Sequence, residues 1–140
     1  MVEGAIVLGV FFMLIFGMLD LSIGVFRRHV ISEAARSGAR QAAVHGSLAP
    51  SGWNGGPWGP TQFGPVSATS TDPKVAGMLP YLAGMDPSTV TITMQWLDNA
   101  NIAESRVSVT VSTTWTPIML SIFGAGSRSM SANSVMLIAH

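Results

Sequence analysis

The chain has no cysteine and little charge, and both shortages narrow the classes of protein it can belong to. The absence of cysteine from the 140 residues excludes disulfide bonds and thiolate metal sites. Charged residues make up 10% of the chain, well below the share of about 25% in a typical soluble domain. The formal net charge is +0, so the composition predicts no nucleic-acid partner.

Recognisable catalytic motifs are also missing. The sequence has no G-x-S-x-G, P-loop or paired-acid motif. Its three histidines, His29, His45 and His140, are far apart and lack ligand spacing, so we expect them to be solvated surface groups. The nine methionines suit gap-filling in a core better than metal binding. We therefore predict no enzymatic activity, no cofactor and no metal site.

What the chain does have is a long hydrophobic run from Gly4 to Phe26, interrupted by the single charge of Asp20. A helix needs about 20 apolar residues to cross the hydrocarbon core of a bilayer. A signal peptide would have a shorter apolar segment and a small-residue cleavage site, whereas Arg27 and Arg28 follow here. A helix buried in so small a domain would rarely be apolar on every face. We predict a membrane or filament-core helix over residues 1–26.

The two arginines raise a question of orientation. The positive-inside rule would place Arg27 and Arg28 on the cytoplasmic side, although the residues after them resemble a compact domain of strands. A basic leader that once preceded Met1 and was removed would resolve this conflict. We therefore expect a processed chain in which Met1 is not the start codon.

The helical pattern continues beyond the arginines as an amphipathic helix. Small and apolar residues recur with a 3.6-residue period, and polar residues flank them. A continuous helix from Val2 to His45 would be about 66 Å long. The stripe of small residues would let a sheet approach closely, and it comprises Phe26, Val30, Ile31, Ala34, Ala35, Gly38, Ala39 and Ala42.

Residues 46–72 are rich in glycine and proline and carry Trp53, Trp58 and Phe63. The glycines and prolines predict a loop without regular structure, and the aromatic residues indicate that the loop packs onto something. Three interpretations remain open: a loop covering its own domain, a contact between subunits, and ligand recognition. We expect at least one tryptophan to pack against the head and at least one other aromatic residue to face a neighbouring subunit.

The rest of the chain predicts a small antiparallel sheet. Asp72 and Pro73 begin a short helix that Pro80 ends or kinks. Alternating residues predict strands in "STVTITMQW", "SRVSVTVSTTW" and "SRSMSANSVMLIA", and "TPIMLSIFG" predicts one or two helical turns. The fold class is therefore α+β: a long hydrophobic helix continues as an amphipathic helix packed on the sheet, with residues 27–140 forming the head.

The N-terminal segment resembles the TadE-like pseudopilins, in the tight-adherence branch of the type IV pilus superfamily. The resemblance rests on "VEGAIVLGVFFMLIFGMLDL" followed by "AARSGARQAA". "RVSVTVSTTWTPIML" and "SANSVMLIA" are similar to the family's valine-rich strand, proline turn and final strand. In that family a glutamate heads the hydrophobic helix and an acidic residue closes it, positions that Glu3 and Asp20 occupy here.

The resemblance implies a structural subunit that polymerises through its helix into an extracellular filament. The alternative is a minor pseudopilin or membrane-anchored assembly factor. The implied partners are other copies of the chain, the pilus assembly machinery, a prepilin peptidase, and the membrane before assembly. The chain would lie in the inner membrane first and in a filament or at the cell surface afterwards.

The resemblance also implies roles for individual residues. Glu3 would meet the N-terminal amine of a neighbouring subunit, because a lone carboxylate in hydrocarbon costs several kcal/mol; the alternative is a carboxylate solvated among headgroups. We expect Asp20 to neutralise Arg27 or Arg28, more readily on a neighbouring helix, the alternative being a hydrated carboxylate. Small residues let helices approach closely, and those of the hydrophobic run are Gly4, Ala5, Gly9, Gly17 and Gly24.

Overall fold

The computed structural model describes residues 2–52, 55–122, 124 and 126–139. Its first element, α1, is a single helix of 43 residues from Val2 to Val44. The remaining elements follow in the order β1 (Phe63–Ser67), α2 (Pro73–Ala76), β2 (Val90–Trp96), β3 (Arg106–Trp115), α3 (Ile118–Ile122) and β4 (Arg128–Leu137). Two short 3₁₀ turns, Leu79–Leu82 and Pro87–Thr89, lie between α2 and β2.

The four strands form one antiparallel sheet in the order β1-β2-β3-β4. The C-terminal half of α1 packs on this sheet, chiefly against β3 and β4. The α+β architecture predicted from the sequence is therefore confirmed.

The core lies between the small-residue stripe of α1 and the inner face of the sheet. The residues predicted to point inward are fully or almost fully buried on β2 and β3, and they are Val90, Ile92, Met94, Trp96, Val107, Val109 and Val111. Opposite them, Ile31, Ala34 and Ala39 of α1 are 0% exposed. Alanine and glycine on the helix let the sheet approach so closely that a Cβ atom at Gly38 would lie 3.1 Å from Cγ1 of Val109.

The structure corrects the expectation that residues 46–72 lack regular structure, because β1 lies inside that range. Phe63 pairs with Met94 and Val66 with Ile92, and the register shifts between Phe63 and Val66. Pro65 cannot donate to a strand ladder, and proline is confined to edge strands or bulges. Gly64 has a φ of 87°. Together, Gly64 and Pro65 interrupt the alternating pattern from which this strand could have been predicted.

The short helices agree with the sequence where they begin, but not in the expected role of Pro80. Asp72 caps α2, with its carboxylate accepting from the Lys74 backbone N–H at 2.9 Å. The helix ends at Ala76 with Gly77 as its C-cap, and Pro80 lies inside the 3₁₀ turn Leu79–Leu82, so Pro80 does not end or kink α2 as expected. The segment behind Pro117 forms α3, a single short helix of five residues.

Candidate membrane and assembly site

The N-terminal half of α1 is the largest exposed apolar surface of the described chain. Every residue from Val2 to Leu19 is exposed. This stretch is about 27 Å long, close to the hydrocarbon thickness of about 30 Å in a bilayer. Among the described residues, α1 is the one helix long and apolar enough to cross a membrane. The length and exposure of this segment are those expected of a membrane anchor.

Glu3 lies in the first turn of α1 and is exposed. Within the described residues it forms no ion pair. Its carboxylate sits at the helix N-terminus, where the helix dipole and unpaired backbone N–H groups favour negative charge. Its predicted pairing with the amine of another subunit stays a prediction.

Three of the four glycines named in the hydrophobic run lie on open surface, the exception being Gly24. A Cβ atom added at Gly4, Gly9 or Gly17 would meet nothing within 4 Å. These glycines are therefore not required by packing within one chain. They leave room for another helix to approach the α1 backbone closely.

Asp20 is buried although its neighbours on α1 are exposed, because α3 of the head packs against it. Its side chain is 5% exposed, and its two carboxylate oxygens accept from the backbone N–H groups of Ile118 at 3.1 Å and Met119 at 2.7 Å. A carboxylate at a helix N-terminus satisfies donors that have no partner within the helix. Asp20 thus caps α3 from the N-terminal part of α1, residues 2–26, which we call the stalk.

The expected pairing of Asp20 with an arginine is not formed inside the described chain, whose ion pairs are Arg36–Glu33 and Arg106–Asp98. The Arg27 guanidinium instead lies 6.0 Å from the centre of the Trp115 ring, and Arg28 is exposed. Pairing across subunits stays a prediction. Sequence reasoning missed the contact with α3 because the partners are 98 and 99 residues apart; the available signal was Pro117, which opens a helix needing an acceptor.

The junction between stalk and head encloses an apolar groove of about 370 Å³. One wall is a single face of α1, and the other is formed by Trp115 of β3, Met119 of α3 and Met130 of β4. At Gly24 the two walls nearly touch, since a Cβ atom there would lie 3.2 Å from the Trp115 ring. The α1 residues that line the groove are Gly17, Asp20, Leu21, Gly24, Val25 and Arg28. Head contacts therefore begin six residues before the predicted boundary at residue 26.

Trp58 anchors the 46–72 segment to its own head. The side chain is 2% exposed and stacks on His45 with ring centres 4.1 Å apart. His45 is itself 3% exposed, which corrects the expectation that it is a solvated surface group: the end of α1 places it beneath Trp58. His29 is exposed as expected, and His140 lies outside the described residues.

The other two aromatic residues of the segment differ from Trp58. Phe63 is half-buried, and the Lys74 ammonium group lies 4.7 Å from the centre of its ring. Trp53 lies outside the described residues. The contact of an aromatic residue with a neighbouring subunit stays a prediction.

A metal site is not evident in the part of the chain that the structure describes, where no three side chains of the ligating types cluster. Two carboxylates on the head surface have lowered pKa values. The Arg106 guanidinium and backbone N–H hydrogen-bond to Asp98 and lower its pKa from 3.8 to about 2. Hydrogen bonds from Ser88 likewise lower the pKa of Asp86. Asp98 lies in a turn and Asp86 caps the 3₁₀ turn Pro87–Thr89, so both have structural hydrogen-bond partners.

Fold and site together define a class of protein. It has an α+β head and a membrane-competent helix, and the head is hydrogen-bonded to this helix at Asp20. Residues 1–40 match the family model described as TadE-like protein. The matched segment includes Glu3, Asp20, Arg27 and Arg28, whereas the sheet lies outside it. No curated protein and no solved structure gave a match to the chain. The match supports the TadE-like character of the N-terminal segment.

Proposed function

We propose that this chain is a structural, pilin-like subunit of a tight-adherence pilus system. It is anchored in the inner membrane, processed by a prepilin peptidase, and polymerised through α1 into an extracellular filament. One observation carries this proposal: residues Val2–Leu19 are exposed on every face, while the same unbroken helix forms the core of the head. The TadE-like match over residues 1–40 supports it.

The physical argument concerns what covers the exposed half of the helix. Exposing apolar surface to water costs about 25 cal/mol per Å², so these 18 residues need lipid or other apolar helices around them. When the subunit leaves the membrane, neighbouring copies of the same segment can supply that cover. Gly4, Gly9 and Gly17 allow close packing, and Glu3 paired with a neighbour's amine would set the axial register.

Cross-linking tests whether the helices bundle. Because the chain contains no cysteine, a single introduced thiol is unambiguous. We expect Gly9→Cys, expressed with the assembly machinery, to yield disulfide-linked dimers in sheared filaments. Gly126→Cys, at an exposed position where a Cβ atom would also meet nothing within 4 Å, is the matched control and should not cross-link. Filaments visible by electron microscopy without Gly9→Cys cross-links would contradict the helical core.

Glu3 provides the second test. Glu3→Ala should leave the head folded, because the exposed Glu3 side chain is remote from the core, and should abolish or strongly reduce filament assembly. Glu3→Gln should assemble in part if a hydrogen bond is sufficient and not at all if charge is required. Filament yield is measured by shearing and immunoblotting, and thermal unfolding of the purified subunit reports the head. Normal yield from Glu3→Ala would refute the pairing.

The second candidate is a minor pseudopilin or membrane-anchored assembly factor that primes or caps the filament, and the TadE-like match over residues 1–40 supports it equally. The same exposed helix would then insert among helices of another subunit. Stoichiometry separates the two roles. Many copies per filament length support the structural subunit, whereas one or a few copies per filament support the pseudopilin.

A further inference from the structure

We infer that the groove at the base of the head binds an anionic phospholipid of the surrounding bilayer, with an acyl chain against α1 and the phosphate beside Arg28. This inference rests on the membrane anchoring of α1 and does not depend on filament formation. Three independent features of the groove carry it: its position along the helix, its apolar walls, and the charges around its upper end.

The groove straddles the boundary between the hydrocarbon core and the headgroups of one leaflet. Along α1 the groove extends from Gly17 to Arg28, a rise of about 17 Å. Gly17 lies about 22 Å along the helix from Val2, inside a hydrocarbon core of about 30 Å. Arg28 lies about 39 Å along the helix from Val2, just beyond a hydrocarbon core of about 30 Å and at the level of headgroups. An acyl chain parallel to α1 would lie in the lower part of the groove.

The walls suit an acyl chain. Leu21 and Val25 of α1 are 70% and 51% exposed, and they face Met119 and Met130 across the groove. Methionine side chains adapt to irregular apolar partners. The groove opens onto the same helix surface that lies in the membrane below it, so lipid reaches it without passing through water.

The charge at the upper end is positive. Arg28 lines the groove, Arg27 lies over the Trp115 ring, and Arg128 pairs with Trp115 in the β3–β4 register. Asp20 is the one carboxylate among the groove-lining residues, and both of its oxygens accept backbone hydrogen bonds from α3. Arginine beside tryptophan at headgroup depth is typical of a membrane interface. Such arginines attract anionic lipid.

Tryptophan quenching in nanodiscs tests the inference on the full, unassembled chain. Phosphatidylglycerol brominated on its acyl chain is compared with equally brominated phosphatidylcholine, both in a phosphatidylcholine background. We expect stronger quenching by the anionic lipid, and this excess should disappear in Trp115→Phe. Excess quenching that persists in Trp115→Phe would place the lipid elsewhere and overturn the proposal.

Two pairs of variants locate the lipid. Arg28→Gln should weaken the preference for the anionic lipid about fivefold, whereas Arg40→Gln, an exposed arginine outside the groove, should not change it. Gly17→Leu fills the groove from a position where a Cβ atom is free to enter and should reduce quenching. Ala5→Leu adds the same side chain to exposed α1 outside the groove and should have no effect.

Two results would overturn the proposal. One is that the two variants of a pair change the quenching equally, either Arg28→Gln and Arg40→Gln or Gly17→Leu and Ala5→Leu. The other is disulfide dimerisation of Gly17→Cys in the nanodiscs, because a second helix would then occupy the groove. Neither result bears on cross-linking through Gly9→Cys in filaments, so failure here is distinguishable from failure of the proposed function.

Discussion

Asp20 is a single side chain that joins distant parts of the chain. It belongs to the apolar run of α1, yet it caps a helix 98 residues later. A carboxylate inside such a run is costly unless its hydrogen bonds are satisfied. Both of its oxygens are satisfied here by the backbone of α3. The hydrogen bonds that satisfy the Asp20 carboxylate therefore also hold the stalk against the head.

Removing that cap has a measurable cost. Asp20→Ala leaves the backbone N–H groups of Ile118 and Met119 without their acceptor, and we expect a loss of about 1–3 kcal/mol in the free energy of unfolding. Asp20→Asn retains one acceptor oxygen and should fall between Ala and wild type. Hydrogen exchange should accelerate at Ile118 and Met119 in both variants.

Glu33→Ala is the control for Asp20→Ala, because Glu33 is an acidic residue of the same helix with an exposed ion pair. Such pairs contribute about 0–1 kcal/mol. Unchanged exchange at Ile118 and Met119 in Asp20→Ala would contradict the capping role.

Asp98 gives the head a defined pH response. Its folded-state pKa of about 2 lies below its ordinary value of 3.8 because of the hydrogen bonds from Arg106. The stabilisation is therefore present above about pH 4 and is lost as the pH falls through about 2. We expect the unfolding temperature of Asp98→Asn to fall less than that of wild type between these two pH values. Parallel falls in thermal scans would show that Asp98 does not contribute.

At the scale of elements, the contact between α1 and β3 depends on residues that are almost without side chains. Gly38→Leu would force a side chain into Met78 and into Val109, whose Cγ1 already lies 3.1 Å from the ideal Cβ position. Overpacking of this kind typically costs about 1–3 kcal/mol. Ala5→Leu, on the exposed half of the same helix, should leave the unfolding midpoint in denaturant unchanged. Equal unfolding midpoints for the two variants would show that the close contact between α1 and β3 does not contribute to the free energy of unfolding.

The elements that could be predicted from the sequence are those whose packing follows a local period. The alternation of valines in β3 and the small-residue stripe of α1 indicate their buried faces directly. Both faces are buried as expected, except at the start of the stripe, where Phe26 is 53% exposed and Val30 is half-buried. β1 could not be predicted, because Gly64 and Pro65 interrupt its alternation and only pairing with β2 makes it a strand.

The candidate site was less accessible to sequence reasoning than the fold. Glu3 and the glycines of α1 are visible as exceptions within an apolar run. The groove and the role of Asp20 arise from α3 and β4 lying against α1, and no local pattern encodes such a long-range contact. His45 was misjudged for the same reason, since Trp58 covers it from another element.

At the scale of the whole molecule, we expect the aromatic residues of the 46–72 segment to have two different roles, one in head stability and one in contact between subunits. Trp58→Ala should cost about 3–5 kcal/mol in head stability, as expected for a fully buried aromatic side chain. Phe63→Ala, at a half-buried position, should reduce filament yield more than it reduces head stability. Chemical footprinting of Phe63 in the free subunit and in filaments checks the contact, with the exposed Tyr81 as reference. Equal protection of Phe63 in both states would assign the whole segment to its own domain.

The overlap of head and stalk at Asp20 determines where the molecule can be cut. Proteolysis or truncation at residue 26 would remove the Asp20 cap and the Gly24 face that Trp115 covers, and the released fragment would begin with an open apolar base. A fragment in which α1 still covers the base of the head must begin before Gly17. Such a fragment therefore contains part of the apolar stalk. A shed head that is both stable and freely soluble is therefore not expected from this chain. A soluble fragment that begins before Gly17 would need polar substitutions at Leu21 and Val25, which are 70% and 51% exposed.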